Sequence, residues 1–448
     1  MKAIGLDIGT TSLCGIVLDA QTGETLYTIN RPNNSALPPS FPEERAQNAE
    51  LIVSEMLAIA EELAAKEQNI ASIGVTGQMH GIVYLDKNGH PASNLITWQD
   101  ARGDLPFKNG ETYAEHLKTA SGYGAVTHFY NVQNGLVPAD AVTFCTIQDL
   151  VALTLTKGNT PHVHISNAAS FGLFNLEHLT FDHNSIKNSN MSPEFFPSVE
   201  PKTALLGQTP SGIPVAVAIG DNQASVLGSV SEPETSVLVN VGTGSQVSAV
   251  INGYAANTTQ ELRPLTEHNY LLAGSSLCGG RAYSILENFL RSIAEEITGT
   301  AIKSAYPAMD RLTADLTPPD DGLQISTLFS GTRKDPSLRG TIEQIGTENL
   351  TMRHLCWGVM HGIVNELHDI CKDLLPHLKT PPTRLIGSGN GIRNNPALAE
   401  LFYETFGLPL LIPAHCEEAA FGAALFSLVA SGNYSDFSKA QILVQYQS

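Results

Sequence analysis

Positive charge is scarce in this chain: 25 Lys and Arg stand against 44 Asp and Glu over 448 residues, a formal net charge of −19. A general nucleic-acid binder needs basic surface to displace phosphate counterions, so that class is disfavoured. Cysteine is sparse as well. Its six copies (Cys14, Cys145, Cys278, Cys356, Cys371, Cys416) are scattered with no Cys-x-x-Cys pair. That pattern argues against a disulfide framework or a zinc site and fits reduced thiols in the cytoplasm. His162 and His164 have a spacing a metal could use, but a solvated loop is the expected setting. No apolar run approaches the roughly 20 residues of a membrane span. The first residues, Lys2-Ala3-Ile4-Gly5-Leu6, read as a strand, without the charged and apolar regions of a signal peptide. No Gly-Lys dipeptide occurs, which excludes a P-loop, and the protein-kinase motif set is missing.

What is present is apolar material enough for sizeable cores, 42% of residues, in a chain too long for one of them. Glycine punctuates short β-rich runs at 3–8, 13–18 and 25–30, a meander. Residues 43–67 carry Leu51, Met56, Ile59 and Leu63 at helical spacing. Strands are expected at 70–75, 82–85, 214–219 and 384–386. Residues 138–156 mix helical and loop signals, and 175–212 predict an irregular stretch. Residues 353–375 predict a long helix, which can pack internally or across a homodimer, and 417–430 an alanine-rich one. The meander recurs at 236–252. There Leu238-Val239-Asn240-Val241-Gly242-Thr243-Gly244-Ser245 aligns with Ile4-Gly5-Leu6-Asp7-Ile8-Gly9-Thr10-Thr11-Ser12. Asp7 then faces Asn240, Gly9-Thr10 faces Gly242-Thr243, and Ser12 faces Ser245. A repeated hairpin predicts two domains of one α/β fold, 1–228 and 236–448, joined near 225–236.

The chemistry-bearing residues cluster in those punctuated segments. A Gly-Thr turn between strands lets backbone amides and hydroxyls approach an anion, and two matched turns suggest a phosphate chain gripped twice. Asp7 puts a carboxylate at the end of a buried strand. Such a charge is costly unless a cation such as Mg2+ or neighbouring amides hold it. Asp221, in Gly220-Asp221-Asn222, follows an apolar strand. It reads either as a helix N-cap or as a catalytic carboxylate at a strand's C-terminal end. Gly387-Ser388-Gly389-Asn390-Gly391 is a glycine-rich turn after a strand. Gln78, Met79 and His80 lie about twenty residues before Thr97-Trp98-Gln99-Asp100-Ala101-Arg102. Planar polar side chains with an aromatic surface suit a polyol. Singly, Trp98 reads as core filler and His80 as a structural histidine.

In this order these elements resemble the FGGY carbohydrate kinases of the actin/Hsp70/hexokinase superfamily, over nearly the whole chain. The resemblance implies two ribonuclease H-like domains with a catalytic cleft between them, and ATP-dependent phosphorylation of a sugar. It implies that Asp221 is the catalytic base and that Asp7 and Asp221 hold Mg2+. The sugar would be met by Gln78, Met79, His80, Trp98, Asp100, Arg102, Asp221 and Asn222. ATP would be met by Thr10, Thr11 and Ser12, by Gly242, Thr243, Gly244 and Ser245, and by Gly387, Ser388, Gly389, Asn390 and Asn394. Within the family, the Trp98 segment, Thr146-Ile147-Gln148-Asp149 and Ser166-Asn167-Ala168-Ala169-Ser170-Phe171-Gly172 resemble the members that phosphorylate sedoheptulose. Ala101, where glycine is more usual, and Asn222-Gln223 depart from that pattern and leave xylulose or another pentulose or polyol as the alternative. A non-catalytic ATP-binding protein would explain the twin turns but not the Gln78–Arg102 cluster. The expected partners are therefore a small sugar and ATP, with no nucleic acid and no membrane.

Overall fold

The computed structural model describes residues 1–332, 335 and 337–447. They form two compact units. The first comprises Met1–Ser231, Arg263–Tyr270 and Glu417–Gln445; the second comprises Glu232–Leu262, Leu271–Cys416 and the last residues from Tyr446.

The first unit is built on a seven-stranded sheet. The predicted meander forms as Lys2–Ile8, Ser12–Asp19 and Thr25–Pro32, paired antiparallel in sequence order. Lys2–Ile8 also pairs in parallel with Ile70–Gly77, so the oldest strand of the hairpin lies at the sheet's centre, buried on both faces. The run expected at 214–219 breaks into Pro214–Ala216 and Ile219–Gly220, both against Ile70–Gly77. The helix expected from 43 begins later, at Ala49, because the Asn48 side chain accepts the Leu51 amide and caps it.

The helix Glu418–Ala430 packs in the first unit. Its alanines and glycine let backbone meet backbone: a Cβ on Gly5 would overlap the Ala420 carbonyl, one on Gly74 the Ala423 carbonyl, and one on Gly422 the Ala224 carbonyl. That fit places 417–445 with the first sheet rather than with the rest of 236–448. His162–His164 is a short strand rather than a solvated loop. His164 is wholly buried, and burial holds its imidazole near 3, hence neutral.

The second unit repeats the plan. Ser236–Val241 pairs antiparallel with Ser245–Asn252 and in parallel with Arg384–Ser388, in a six-stranded sheet. The long predicted helix forms as Met352–Leu374, its first turn capped by Thr351. The two hairpins differ by one residue. Ile8 pairs Leu13, whereas Val241 pairs Ser245, so Ser245 corresponds to Leu13 and the second turn is one residue shorter. The expected match of Ser12 to Ser245 is therefore off by one.

Candidate active site

In the first unit, a strand end and two helix starts bring three carboxylates into electrostatic reach. Asp7, near the end of Lys2–Ile8, is pushed up to about 7, first by burial and then by the like charges of Asp221 and Glu417. Asp221 is the first residue of the helix Asp221–Ser229, with Gly220 rather than Asp221 as its N-cap. Burial raises its carboxyl, while the Arg263 guanidinium and hydrogen bonds from Asn222 pull the other way. The Asn222 amide and Nδ2 both donate to Asp221 Oδ1, at 2.6 and 2.9 Å. Sequence reasoning missed Arg263 and Glu417. Both come from segments assigned to the other domain, and no local motif marks them.

Beside the carboxylates lies a polar wall. Gln78 donates its amide to Ile8 and its Nε2 to Gln47 Oε1, 2.8 Å away. Gln47 Nε2 donates to the Thr10 carbonyl, and Trp98 Nε1 to Thr10 Oγ1 at 3.1 Å. Trp98 stays 45% exposed, which rules out core filler. His80 adopts φ +72° and stacks on Tyr123 at 4.3 Å. Its Nδ1 lies 2.8 Å from the Ser170 carbonyl. A carbonyl only accepts, so Nδ1 carries a proton and donates it to Ser170. Met79 is buried, its sulfur accepting from Asn222 Nδ2.

Asp100 and Arg102 differ from expectation. Both are buried, and Arg102 Nε and Nη2 grip the two Asp100 oxygens at 2.6 and 3.0 Å. Arg102 Nη1 donates to Asn131, and the guanidinium lies over the Phe41 and Tyr130 rings. With the fork committed, the pair braces the loop that presents Trp98. Thr10 and Ser12 are half-buried and Thr11 is exposed at the hairpin turn.

The second unit holds a cavity of about 710 Å³. Of the residues expected at ATP, Gly242, Thr243, Gly389, Asn390 and Asn394 line it. Gly244, Ser245, Gly387 and Ser388 do not, and Ser388 is buried with its hydroxyl taken by Asn240 Nδ2 at 2.8 Å. The helix Gly279–Thr298, which no motif singled out, supplies Gly280, Arg281, Tyr283 and Ser284. Its amides at Gly280 and Arg281 donate to the carbonyls of Gly242 and Thr243, both at 3.0 Å, so helix and turn form one wall. Tyr306, Asp310, Met360 and Leu398 extend the lining away from the glycines. The cavity thus combines glycine backbone with aromatic, polar and apolar side chains, a lining that suits a nucleotide.

Twin sheets led by matched glycine turns, with paired carboxylates in one unit and this cavity in the other, define a phosphotransferase of the actin/hexokinase type. Residues 2–228 match the FGGY family of carbohydrate kinases, N-terminal domain, and residues 234–431 match its C-terminal domain. The chain belongs to that family, and it is an ATP-dependent sugar kinase. It is 26% identical to a mouse (Mus musculus) sedoheptulokinase over 473 residues, covering 95% of this chain and 97% of the relative. In fold it is similar to the ligand-bound xylulose kinase of Lactobacillus acidophilus, with TM-score 0.83, 19% identity and coverage of 100% and 93% of the two chains. It is similar also to Plasmodium falciparum glycerol kinase with ADP, with TM-score 0.83, 18% identity and coverage of 100% and 93%. No helix among the described residues is long and apolar enough to cross a membrane.

Proposed function

We propose that the chain transfers the γ-phosphoryl group of ATP to the terminal primary hydroxyl of a ketose, with sedoheptulose to sedoheptulose 7-phosphate as the first choice. The observation that carries this reading is the half-buried Asp221 carboxylate, raised by desolvation and flanked by Arg263, with Asn222 reaching Met79 beside the Gln78–Trp98 wall. Asn222 occupies Oδ1, so Oδ2 is the oxygen to orient the hydroxyl and take its proton. A carboxylate is a weak base toward an alcohol, so the proton moves late, once the bond to phosphorus has made it acidic. His80 Nε2 accepts from a sugar hydroxyl and Trp98 covers a face of the chain. The nucleotide is taken by the cavity of the second unit, with Thr243 and Arg281 in its lining.

Magnesium fits the first unit. Asp7 is raised by burial and then by its neighbours' like charges, which a divalent cation would relieve, and the ion needs only one or two carboxylates besides water. When bound at Asp7 and Asp221, the ion would supply charge neutralisation to the transferring phosphoryl group. The unpaired cysteines fit a cytoplasmic setting.

A coupled ADP-release assay tests the reading against sedoheptulose, D-xylulose, D- and L-ribulose, D-fructose and glycerol. Preference for sedoheptulose by kcat/KM supports it. Preference for xylulose or glycerol keeps the chemistry and discards the substrate. The sedoheptulokinase likeness favours the seven-carbon sugar, at 26% identity.

A further inference from the structure

The six-residue helix Ile165–Ser170 is buried yet polar, with Ser166 at 1%, Asn167 at 0% and Ser170 at 4% exposure. A helix placed in a core for packing alone would present apolar side chains, so three sequestered polar ones call for an account. Each of them is bonded toward the site. Ser166 Oγ accepts the Gly220 amide at 3.0 Å, one residue before Asp221. Asn167 Nδ2 donates to the Ala218 carbonyl at 3.1 Å. Ser170 Oγ accepts the His80 amide at 3.1 Å and donates to the Asn167 carbonyl at 2.7 Å, while the Ser170 carbonyl takes His80 Nδ1.

The strand end that carries Asp221 is otherwise short. Ile219–Gly220 has only two residues, and Pro214–Ala216 stops before it. Ladder pairing alone fixes it poorly. Side chains replace the missing ladder: Asn167 holds residue 218, Thr76 Oγ1 donates to the Ile219 carbonyl at 2.8 Å, and Ser166 holds residue 220. The helix is itself locked from behind. Gln148 Nε2 reaches both Asn167 Oδ1 and the Gly77 carbonyl, at 3.0 and 3.2 Å. Asp149 accepts from Asn167, and His164 Nδ1 meets Ser166 Oγ at 2.8 Å. His80, at φ +72°, sits in a conformation that a histidine holds only when its surroundings impose it, and Ser170 supplies two of those restraints.

We infer that Ile165–Ser170 is a positioning template, with Ser166 and Asn167 setting the base Asp221 and Ser170 setting the sugar contact His80, so that one rigid element fixes the distance between them. This rests on the roles given to Asp221 and His80 above. None of the three touches substrate; each acts through the residue it holds. Misplacement of a reacting group by a fraction of its hydrogen-bond length is enough to slow transfer steeply.

The test is a double-mutant cycle with steady-state kinetics on the preferred sugar of the panel. Ser166→Ala is expected to lower kcat roughly 10- to 100-fold, with both KM values within about twofold. Ser170→Ala is expected to raise the sugar KM about tenfold and leave the ATP KM unchanged. The decisive arm adds Ser166→Ala to Asp221→Asn. A residue that acts only by placing the Asp221 carboxylate costs nothing further once that carboxylate is gone, whereas a general structural loss repeats its factor. An equal factor in both backgrounds, or a wild-type kcat for Ser166→Ala, overturns the inference while leaving Asp221 as base. Wild-type turnover by Asp221→Asn alone overturns both. Should Ser166→Ala not fold, Asn167→Ser removes the bond from the same helix to the Ala218 carbonyl and carries the same cycle.

Discussion

Replacing Asp7 by Asn should stabilise the fold at alkaline pH while abolishing the metal site. The Asp7 carboxyl is raised to about 7 by burial, with Asp221 and Glu417 adding to it, against an ordinary 3.8 in the unfolded chain. A carboxyl raised on folding holds a proton in the native state that the unfolded state has already lost. Stability contributed by the neutral form is therefore full below the ordinary value, falls as pH rises through the window from about 4 to about 7, and is flat beyond it. The difference of about 3 pH units corresponds to at most about 4 kcal/mol at pH 8. Asn at this position carries no such dependence. Urea unfolding of both proteins in chelator, at pH 5 and pH 8, should find the variant ahead at pH 8 by up to that amount, with much of the gap closed at pH 5. Added magnesium should stabilise the wild type and leave the variant unmoved, since only the native wild type retains the ligand. A gap that does not change with pH, or a variant weaker at pH 8, refutes the account of Asp7 as a strained, cation-seeking carboxylate.

Other expectations follow from the same geometry. Asp221→Asn should fold and bind ATP, measured by calorimetry, but lose about 100-fold or more in kcat; turnover near the wild type would remove Asp221 from the chemistry. His80→Ala should raise the sugar KM about tenfold and spare the ATP KM, since a hydroxyl partner and a stacking surface vanish from the sugar side only; equal rises in both would argue against that position. Gly389→Ala should cost about 1–3 kcal/mol in thermal unfolding and weaken ATP binding. Gly389 holds φ +84°, and a Cβ there would crowd the Val241 backbone beside the Gly242–Thr243 turn. A variant with wild-type stability and affinity would show that this close approach is not needed.

Local pattern made the hairpins, the two long helices and the glycine turns legible, because alternation and helical spacing report burial that each segment decides for itself. What stayed hidden depends on contacts distant in sequence. The helix Glu418–Ala430 reads as packed in either unit, and only its fit against Gly5, Gly74 and Ala224 assigns it to the first. Asp100 and Arg102 look like ligand-facing groups in a string of polar residues. Asn131, Phe41 and Tyr130, which turn them into a buried brace, lie elsewhere in the chain. Arg263 and Gly280 sit in no motif, and their roles arise from where strand and helix ends converge. The one-residue offset of the second hairpin is a matter of pairing register, which glycine-rich turns leave open.

That offset and the change from Asp7 to Asn240 together explain how two copies of one hairpin come to do different work. At the first, the carboxylate has like charges for neighbours and is held above its ordinary range. A half-buried carboxylate among like charges is costly unless a cation or a proton offsets it. At the second, Asn240 donates to Ser388 and the position is satisfied without charge. Ser245, displaced by the shorter turn into the place of Leu13, turns inward, and Gly279 closes against it so tightly that a Cβ would overlap its hydroxyl. On the proposed function, the first hairpin serves metal and base, and the second, without charge, admits the polyphosphate. A carboxylate restored at position 240 should therefore repel the nucleotide, and Asn240→Asp is expected to weaken ATP binding by calorimetry without changing the sugar KM. Undiminished ATP affinity in that variant would show that the two hairpins differ by drift rather than by division of labour.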